Sequence, residues 1–572
     1  MISIGGVIGT GLFLGSAEAL YEGGPIGALL GYSIIGTVVY CLCVSIGEMI
    51  AFLPNVGGVV GLADLYVDPA LGFSLGWASW YNWTITLPAE ISAAALAMGY
   101  WSKGHTLPKI HQLIFLLFLS PLFAVLRDVV FDHASIQLFI TTSINLLPSG
   151  YYGEVEFYFS SFKVGTIVLI IFFSLLSDVG VGRDGFLGLQ HWHQPFPDSF
   201  LGVHGAKGRF LGFTAVLMQA AFSFFGSEVP GINVPRALRR VWIRITLFYV
   251  GGIFCAGLLV PWNQTDLTAD TSNGFSSPFV IAFEGTKLAK LGNLINAAIV
   301  ISAFSAASSD IYISSRYLFF LARQKHAPAI FAFLLRHPDT TASRRDPVEE
   351  EEGSDVEMLL TGRPKLLWAL PFTCIMTATA VGTLAFLSGG TTASYAFKQL
   401  TAAASVSSLL SWTGMLFTYI RWHQGTAYAE KKNKGQDTEE AREVIEQIDK
   451  IKEHRHKGQP YLAWYAFIVC TTVLFTNGWT VFLHNNWRIA DDVKPPDLDP
   501  DDIRVTTPVA TFLASYIPLP LFVLLTLGYK MMYQTEMVTL DQMTFSRENV
   551  PELVEDELPP RNRWEKIVRM FI

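Results

Sequence analysis

Apolar residues in this chain fall in long unbroken blocks, and polar residues gather between them instead of alternating with them. A bilayer core of roughly 30 Å takes about 20 apolar residues of helix. Blocks of that kind lie at approximately 2–20, 25–53, 71–101, 112–147, 158–178, 208–230, 240–261, 288–322, 366–388, 397–420, 461–484 and 507–532. They predict about twelve spanning helices. The block at 112–147 is the least regular, because Arg127, Asp128, Asp132 and His133 interrupt it. Gly and Ala dot the blocks without polar alternation, which fits packed helices and not a barrel. The expected fold is all-α and polytopic.

Lys and Arg distribute unevenly between the connections, which orients the helices. The connection after the sixth block carries Arg236, Arg239, Arg240 and Arg244, and the one after the eighth carries Arg323, Lys325, Arg336, Arg344 and Arg345. Lys431, Lys432, Lys434, Lys450 and Lys452 follow the tenth, whereas 262–286 has neither Lys nor Arg and 491–502 is acidic. Both termini are therefore expected in the cytoplasm, and Asn263-Gln264-Thr265 outside, as an acceptor sequon for glycosylation. Two polar inserts stand apart. Residues 336–364, with the run Glu349–Glu352, read as a cytoplasmic loop; 426–458 predict a short surface helix, with Ile445, Ile448 and Ile451 at helical spacing. The tail ends in Trp564, Ile567, Val568 and Phe571, an amphipathic segment suited to the membrane surface or to the protein's own cytoplasmic face.

Composition agrees with this pattern. Of 572 residues, 51% are hydrophobic and 15% charged, against about 25% charged in soluble domains. Acidic residues exceed basic ones by 48 to 40, so no nucleic-acid partner is expected. Cys41, Cys43, Cys255, Cys374 and Cys470 all lie in apolar stretches, where burial is expected and neither a disulfide framework nor a metal site is. No cleavable signal peptide is expected, since the first block runs on without a small-residue cleavage site. Phosphate loops, zinc-protease motifs and nucleophile elbows are missing from the sequence, so an enzyme is not expected, nor a cofactor. His191-Trp192-His193 has no Cys or carboxylate pair beside it to make a metal centre.

The informative chemistry lies in two interrupted blocks. The first reads Ile4-Gly5-Gly6-Val7-Ile8-Gly9-Thr10-Gly11. Each glycine weakens a helix by about 1 kcal/mol relative to Ala, and unwound backbone at membrane depth survives only where it is buried or lines a cavity. Amides freed at a half-helix N-terminus make a carboxylate receptor without any Arg. The sixth block contains Phe222-Ser223-Phe224-Phe225-Gly226-Ser227-Glu228, then Pro230-Gly231, and breaks in the same manner, offering carbonyls to an ammonium. Close helix packing through small residues is the competing explanation. The two blocks open two successive groups of five, and paired interruptions at matching places point to an inverted-repeat transporter. A substrate with one anionic and one cationic group on the same carbon fits it. Glu48, Glu90, Lys163, Glu228 and Asp310 sit within or at the ends of blocks, where an ion must be paired. Lys163 reads either as a proton-exchanging group standing in for a cation or as a snorkelling lysine near the helix end; Glu228 either exchanges protons or caps the break.

Several segments in order resemble the fungal amino acid permeases of the amino acid–polyamine–organocation superfamily. They are IGGVIGTGLFLGS at Ile4–Ser16, GEMIAFLP at Gly47–Pro54, VDPALGFSLGW at Val67–Trp77, YNWTITLPAEISAA at Tyr81–Ala94, YGEVEFYFSSFK at Tyr152–Lys163 and SAFSAASSDIYISSRYLFFLARQKHAP at Ser302–Pro328. The resemblance covers nearly the whole chain. It implies a LeuT-type fold of five plus five inverted helices with two appended. The units would be 1–178, 208–424, a cytoplasmic loop at 425–459, an appended pair at 460–532 and a cytoplasmic tail at 533–572. It also implies that Thr10 and Gly11, with Gly9 beside them, give amides to a substrate carboxylate. Carbonyls of Val7, Phe222, Ser223 and Phe225 would face the amino group, Phe222 would act as an aromatic gate, and Lys163 would occupy a sodium site. Unlike relatives, the chain begins almost at the first block, shortens the stretch after Gly231 and lengthens 102–136. The function implied is import of amino acids across the plasma membrane with protons; the alternative is a permease-like amino acid sensor.

Overall fold

The computed structural model describes residues 9–53, 58–102, 133–182, 185–200, 203–227, 242–243, 245–264, 267, 277–284, 286–338, 366–388, 393–479 and 508–545. Helices dominate them. A short π-helical turn, Gly11–Gly15, leads into α1 (Ser16–Phe52). Helix α1 joins the first two apolar blocks and bends between them at Gly24, whose φ of 68° is followed directly by Pro25. A side chain at Gly24 would both strain that backbone and strike Pro195 O at 2.6 Å, so the turn is specified by glycine.

Then come α2 (Gly58–Tyr66), α3 (Pro69–Ser102), α4 (His133–Asn145), α5 (Ser149–Asp178) and α6 (Gly205–Ser223). A π-helical run, Ile245–Val250, precedes α7 (Gly251–Leu259), and α8 (Pro278–Ile281) precedes α9 (Ala289–Arg323). Helices α10 (Phe372–Gly382), α11 (Ala393–Asn433), α12 (Glu439–His454), α13 (Tyr461–Thr476), α14 (Pro508–Tyr516) and α15 (Pro518–Tyr533) complete the order. Among the described residues, five stretches are long and apolar enough to cross a bilayer: Gly11–Phe52, Gly150–Asp178, Ala289–Arg323, Phe397–Asn433 and Phe512–Tyr533. Ile245–Leu259, Phe372–Ala385 and Tyr461–Thr476 are shorter apolar helices.

Packing separates a buried centre from an apolar periphery. Helix α9 runs along α3, held by Asn296 Nδ2 donating to Ala97 O (2.8 Å) and Trp101 Nε1 to Asn293 Oδ1 (3.1 Å). Helix α6 lies along α1, where Gly23 and Gly31 leave room for Val216. Only 11% of the apolar window in Phe512–Tyr533 is buried, against 78% in Ala289–Arg323. Leu524, Met531 and, on α5, Phe172 stand exposed, which is the surface a lipid phase covers. All five cysteines are buried free thiols.

Two sequence expectations need correcting. Leu366–Leu370, assigned to a spanning block, is a strand paired antiparallel with Leu335–Pro338, and the helix starts only at Phe372, after Pro371. Pro371 supplies no amide to a helix and holds the residue before it extended. Helix α11 continues through Asn433, beyond the apolar block expected to end at 420. The surface helix of the charged insert is present as α12, capped by Thr438, whose Oγ1 accepts from Ala441 N (3.4 Å). It buries Ile448 and Ile451, and its first turn is acidic and its last basic, as the helix dipole favours.

Glu48, at the end of α1, ties this insert down, accepting from Tyr419 Oη and from His456 N–H (2.8 Å). Residues after α15 double back over α2. Val538 N–H donates to Val67 O (2.8 Å), Arg421 Nη2 to Val538 O (2.6 Å), and Lys530 meets Asp68 at 2.5 Å. The Phe545 ring stacks on Tyr66, centroids 5.8 Å apart. Burial pushes the carboxyl of Asp64 up to about 7, and the charge of Asp68 adds to the rise. For Asp68 burial acts upward too, but hydrogen bonds from Lys530, Ala70 N–H and Thr535 outweigh it and hold the carboxyl below its ordinary range. The amphipathic stretch at Trp564–Phe571 lies outside the described residues.

Candidate substrate-binding site

The Gly-rich opening of the first span is not a continuous α-helix. The backbone bends at Gly9, and Gly11–Gly15 turns as a π-helix, a form that recurs at functional sites. Thr10, fully buried, directs its N–H at both carboxylate oxygens of Glu90, 3.2 Å from each. Glu90 lies on α3 two residues after Pro88, whose ring nitrogen gives no hydrogen bond to the preceding turn. A methyl group on Gly9 would approach Glu90 Oε1 to 2.5 Å, so this glycine is what lets the carboxylate reach the amide.

The end of α6 sits against this bend. Helix α6 stops at Ser223, and Phe224–Ser227 form tight turns in which Phe225 N–H donates to Phe222 O (3.2 Å) and Ser227 N–H to Phe224 O (3.3 Å). Gly226 takes φ 83°, a conformation side chains disfavour. The hydroxyl of Ser223 lies 2.7 Å from Gly11 O and 2.8 Å from Tyr32 Oη; with one proton it donates to the carbonyl and accepts from the phenol. A Cβ on Gly11 would stand 2.7 Å from Ser223 Cα and 3.1 Å from Phe222 Cδ1. The three phenylalanines leave the turn in three directions. Phe222 packs edge-on against Phe397 (6.4 Å), Phe224 stacks on Tyr249 (4.2 Å) and Phe225 meets Trp83 (4.3 Å).

Below Glu90 lies a buried ionic cluster. Helix α5 begins at Ser149, earlier than expected, so Lys163 is mid-helix, only 1% exposed, and does not snorkel. Glu156, Glu90 and Asp310 all act on its charge. Glu156, seven residues before Lys163 and thus on the same helical face, accepts from Ser305 Oγ at 3.2 Å. An ion at such depth is tolerable only with counter-charges of this kind. Among the expected site residues the fold thus joins Gly9, Thr10, Gly11, Phe222 and Ser223, places Phe225 on the far side of the turn against Trp83, and reaches Lys163 through Glu90. Val7 and Glu228 lie outside the described residues. Glu156 was missed, although its seven-residue spacing from Lys163 is visible in the sequence.

A bundle of apolar helices, in which the bend at Gly9 meets the end of α6 at a buried centre, defines a polytopic helical membrane protein. The amino acid permease family model matches residues 1–338, more than half of the chain, and the chain belongs to that family. It is accordingly an amino acid transport protein and not an enzyme. Among its relatives, the lysine-specific permease of Saccharomyces cerevisiae is 29% identical, over 99% of this chain and 80% of that protein. The dicarboxylic amino acid permease of the same yeast is 28% identical, over 99% of this chain and 82% of that protein. The solved structure of MhsT in complex with L-phenylalanine aligns with 82% of this chain and 97% of that one, at 16% identity and a TM-score of 0.46.

Proposed function

We propose that this protein imports amino acids across the plasma membrane by proton symport, through alternating access of two inverted five-helix repeats (1–178 and 208–424) with both termini in the cytoplasm. The observation that carries the reading is the Thr10 amide holding a carboxylate at the first break. That carboxylate belongs to Glu90, so the substrate's own carboxylate takes the amides of Thr10 and Gly11, with Gly9 beside them, by displacing it. The amino group then faces carbonyls of Val7, Phe222, Ser223 and Phe225, and Phe222 closes over the substrate.

Displacement of Glu90 is also what links the substrate to protons. Glu90 shares its charge environment with Lys163, Glu156 and Asp310. Moving one negative group out of a buried cluster changes which of the others holds a proton, since unpaired charge is expensive there. Lys163 exchanges the transported proton in this scheme, with Glu228 assisting at the second break. Purified protein in liposomes should accumulate an amino acid when the outside is acidified. Uptake that ignores an imposed proton gradient would remove the symport claim and leave the transport claim standing.

A further inference from the structure

Glu18, in the first turn of α1 beyond the π-helical run, carries an ion pair that no step above uses. Its Oε1 lies 3.2 Å from Lys398 Nζ of α11, and its Oε2 accepts from Gln219 Nε2 at 2.5 Å. Both side chains of the ion pair are partly open, Lys398 by 37% and Glu18 by 25%. Glu22 lies one turn further along the same face of α1. The group in contact is thus one carboxylate, one ammonium and one neutral amide.

Its position relative to the breaks is fixed by α6. Gln219 precedes Ser223 by four residues, about 6 Å along the helix, and Ser223 holds Gly11 O. Gly15 stands between the two levels, its would-be Cβ 3.4 Å from Ser223 Oγ and 3.8 Å from Gln219 Oε1. A ligand whose carboxylate rests on the first break, with a flexible four-carbon stem ending in an ammonium, spans that interval.

We propose that the transported amino acids carry a cationic side chain, recognised by Glu18 with Glu22 beside it, and that Lys398 is the protein's own stand-in for that cation. The inference rests on the transport reading and deepens it by naming the substrate class. Charge balance decides its sign. Glu18 keeps its place when Lys398 leaves, because the neutral amide of Gln219 also holds it, so an incoming cation finds a placed carboxylate. An anionic side chain would have to reach Lys398 while facing Glu18, and like charges brought together in a cleft repel. Lys398, on a long flexible stem, is the partner able to swing away.

The test uses the full chain in liposomes acidified outside, with radiolabelled lysine, leucine and glutamate as probes. Lysine should be carried in preference to the other two. Glu18→Gln should raise the KM for lysine about tenfold, the value of a charge-assisted contact, and leave leucine unchanged. Lys398→Met should lower the KM for lysine, because the internal competitor is gone; a misfolded variant cannot produce that direction. Preferred uptake of leucine or glutamate overturns this inference and leaves the transport reading intact. Equal loss of lysine uptake in both variants also overturns it, making the pair a strut between α1 and α11. Failure to carry any amino acid, with the protein monodisperse, defeats the transport reading itself.

Discussion

The two chain breaks meet face to face, yet they are built by opposite means. The first is made by omission. Gly9 and Gly11 place bare backbone where any side chain would strike Glu90 or Ser223. The second is made by bulk: three large rings flanking Ser223 find separate places against Phe397, Tyr249 and Trp83, and α6 ends at the turn that splays them so. An omission tolerates no addition, whereas a wedge of rings is sensitive to shape and polar contact. The first break should therefore fail abruptly on substitution and the second by degrees.

The largest effect is expected at Gly11. Gly11→Val would press on the Cα of Ser223, a backbone atom that cannot yield, so uptake should be lost with membrane insertion retained. Wild-type uptake in a correctly localised variant would refute the assignment. Gly9→Ala should cost less, since the atom it meets is the carboxylate of Glu90 on a side chain that can retreat. A drop of about tenfold is expected, the order that a lost charge-assisted contact brings. Pairing it with Glu90→Asp, which shortens the side chain, should recover part of the loss, and no recovery would break the link between the two residues.

Lys163→Ala should flatten the pH dependence of uptake more than it raises KM, because the lysine acts on Glu90, the carboxylate held at the Thr10 amide. Ser223→Ala removes the bonds to Gly11 O and Tyr32. It should lower uptake by a few-fold, as one neutral hydrogen bond of about 1 kcal/mol implies, and leave the pH profile alone. A shifted profile in Ser223→Ala would erase the distinction between the breaks.

Asp64 is the control remote from both. Its folded-state value near 7 exceeds the ordinary 3.8, so the folded protein binds the extra proton and its stability falls as pH rises from about 4 to 7. Asp68, held low, contributes in the opposite sense, adding stability above its ordinary range and losing it in acid. Asp64→Asn should flatten the first decline in a thermal melt without altering uptake.

Much of this was readable in advance. Glycine spacing marked the bend at Gly9, and Phe-Phe-Gly marked the end of α6, because both signals are local; Pro230-Gly231 lies outside the described residues. What was hidden depends on contacts between distant helices. Nothing near Glu90 in sequence says that it turns toward Thr10, 80 residues away, and Glu18 and Lys398 are brought together only by the packing of α11 on α1. Hydropathy also could not separate strand from helix at Leu366–Leu370, an apolar run too short to show a period.

The doubling back of residues 534–545 bears on how the protein is made. Phe52 and Tyr66 emerge from the ribosome long before the ring that covers both, Phe545. Until Lys530 and Phe545 follow, Asp68 lacks its cation and the aromatic patch stays wet. A nascent chain at that stage carries a sticky, unfinished surface of the kind that chaperones bind.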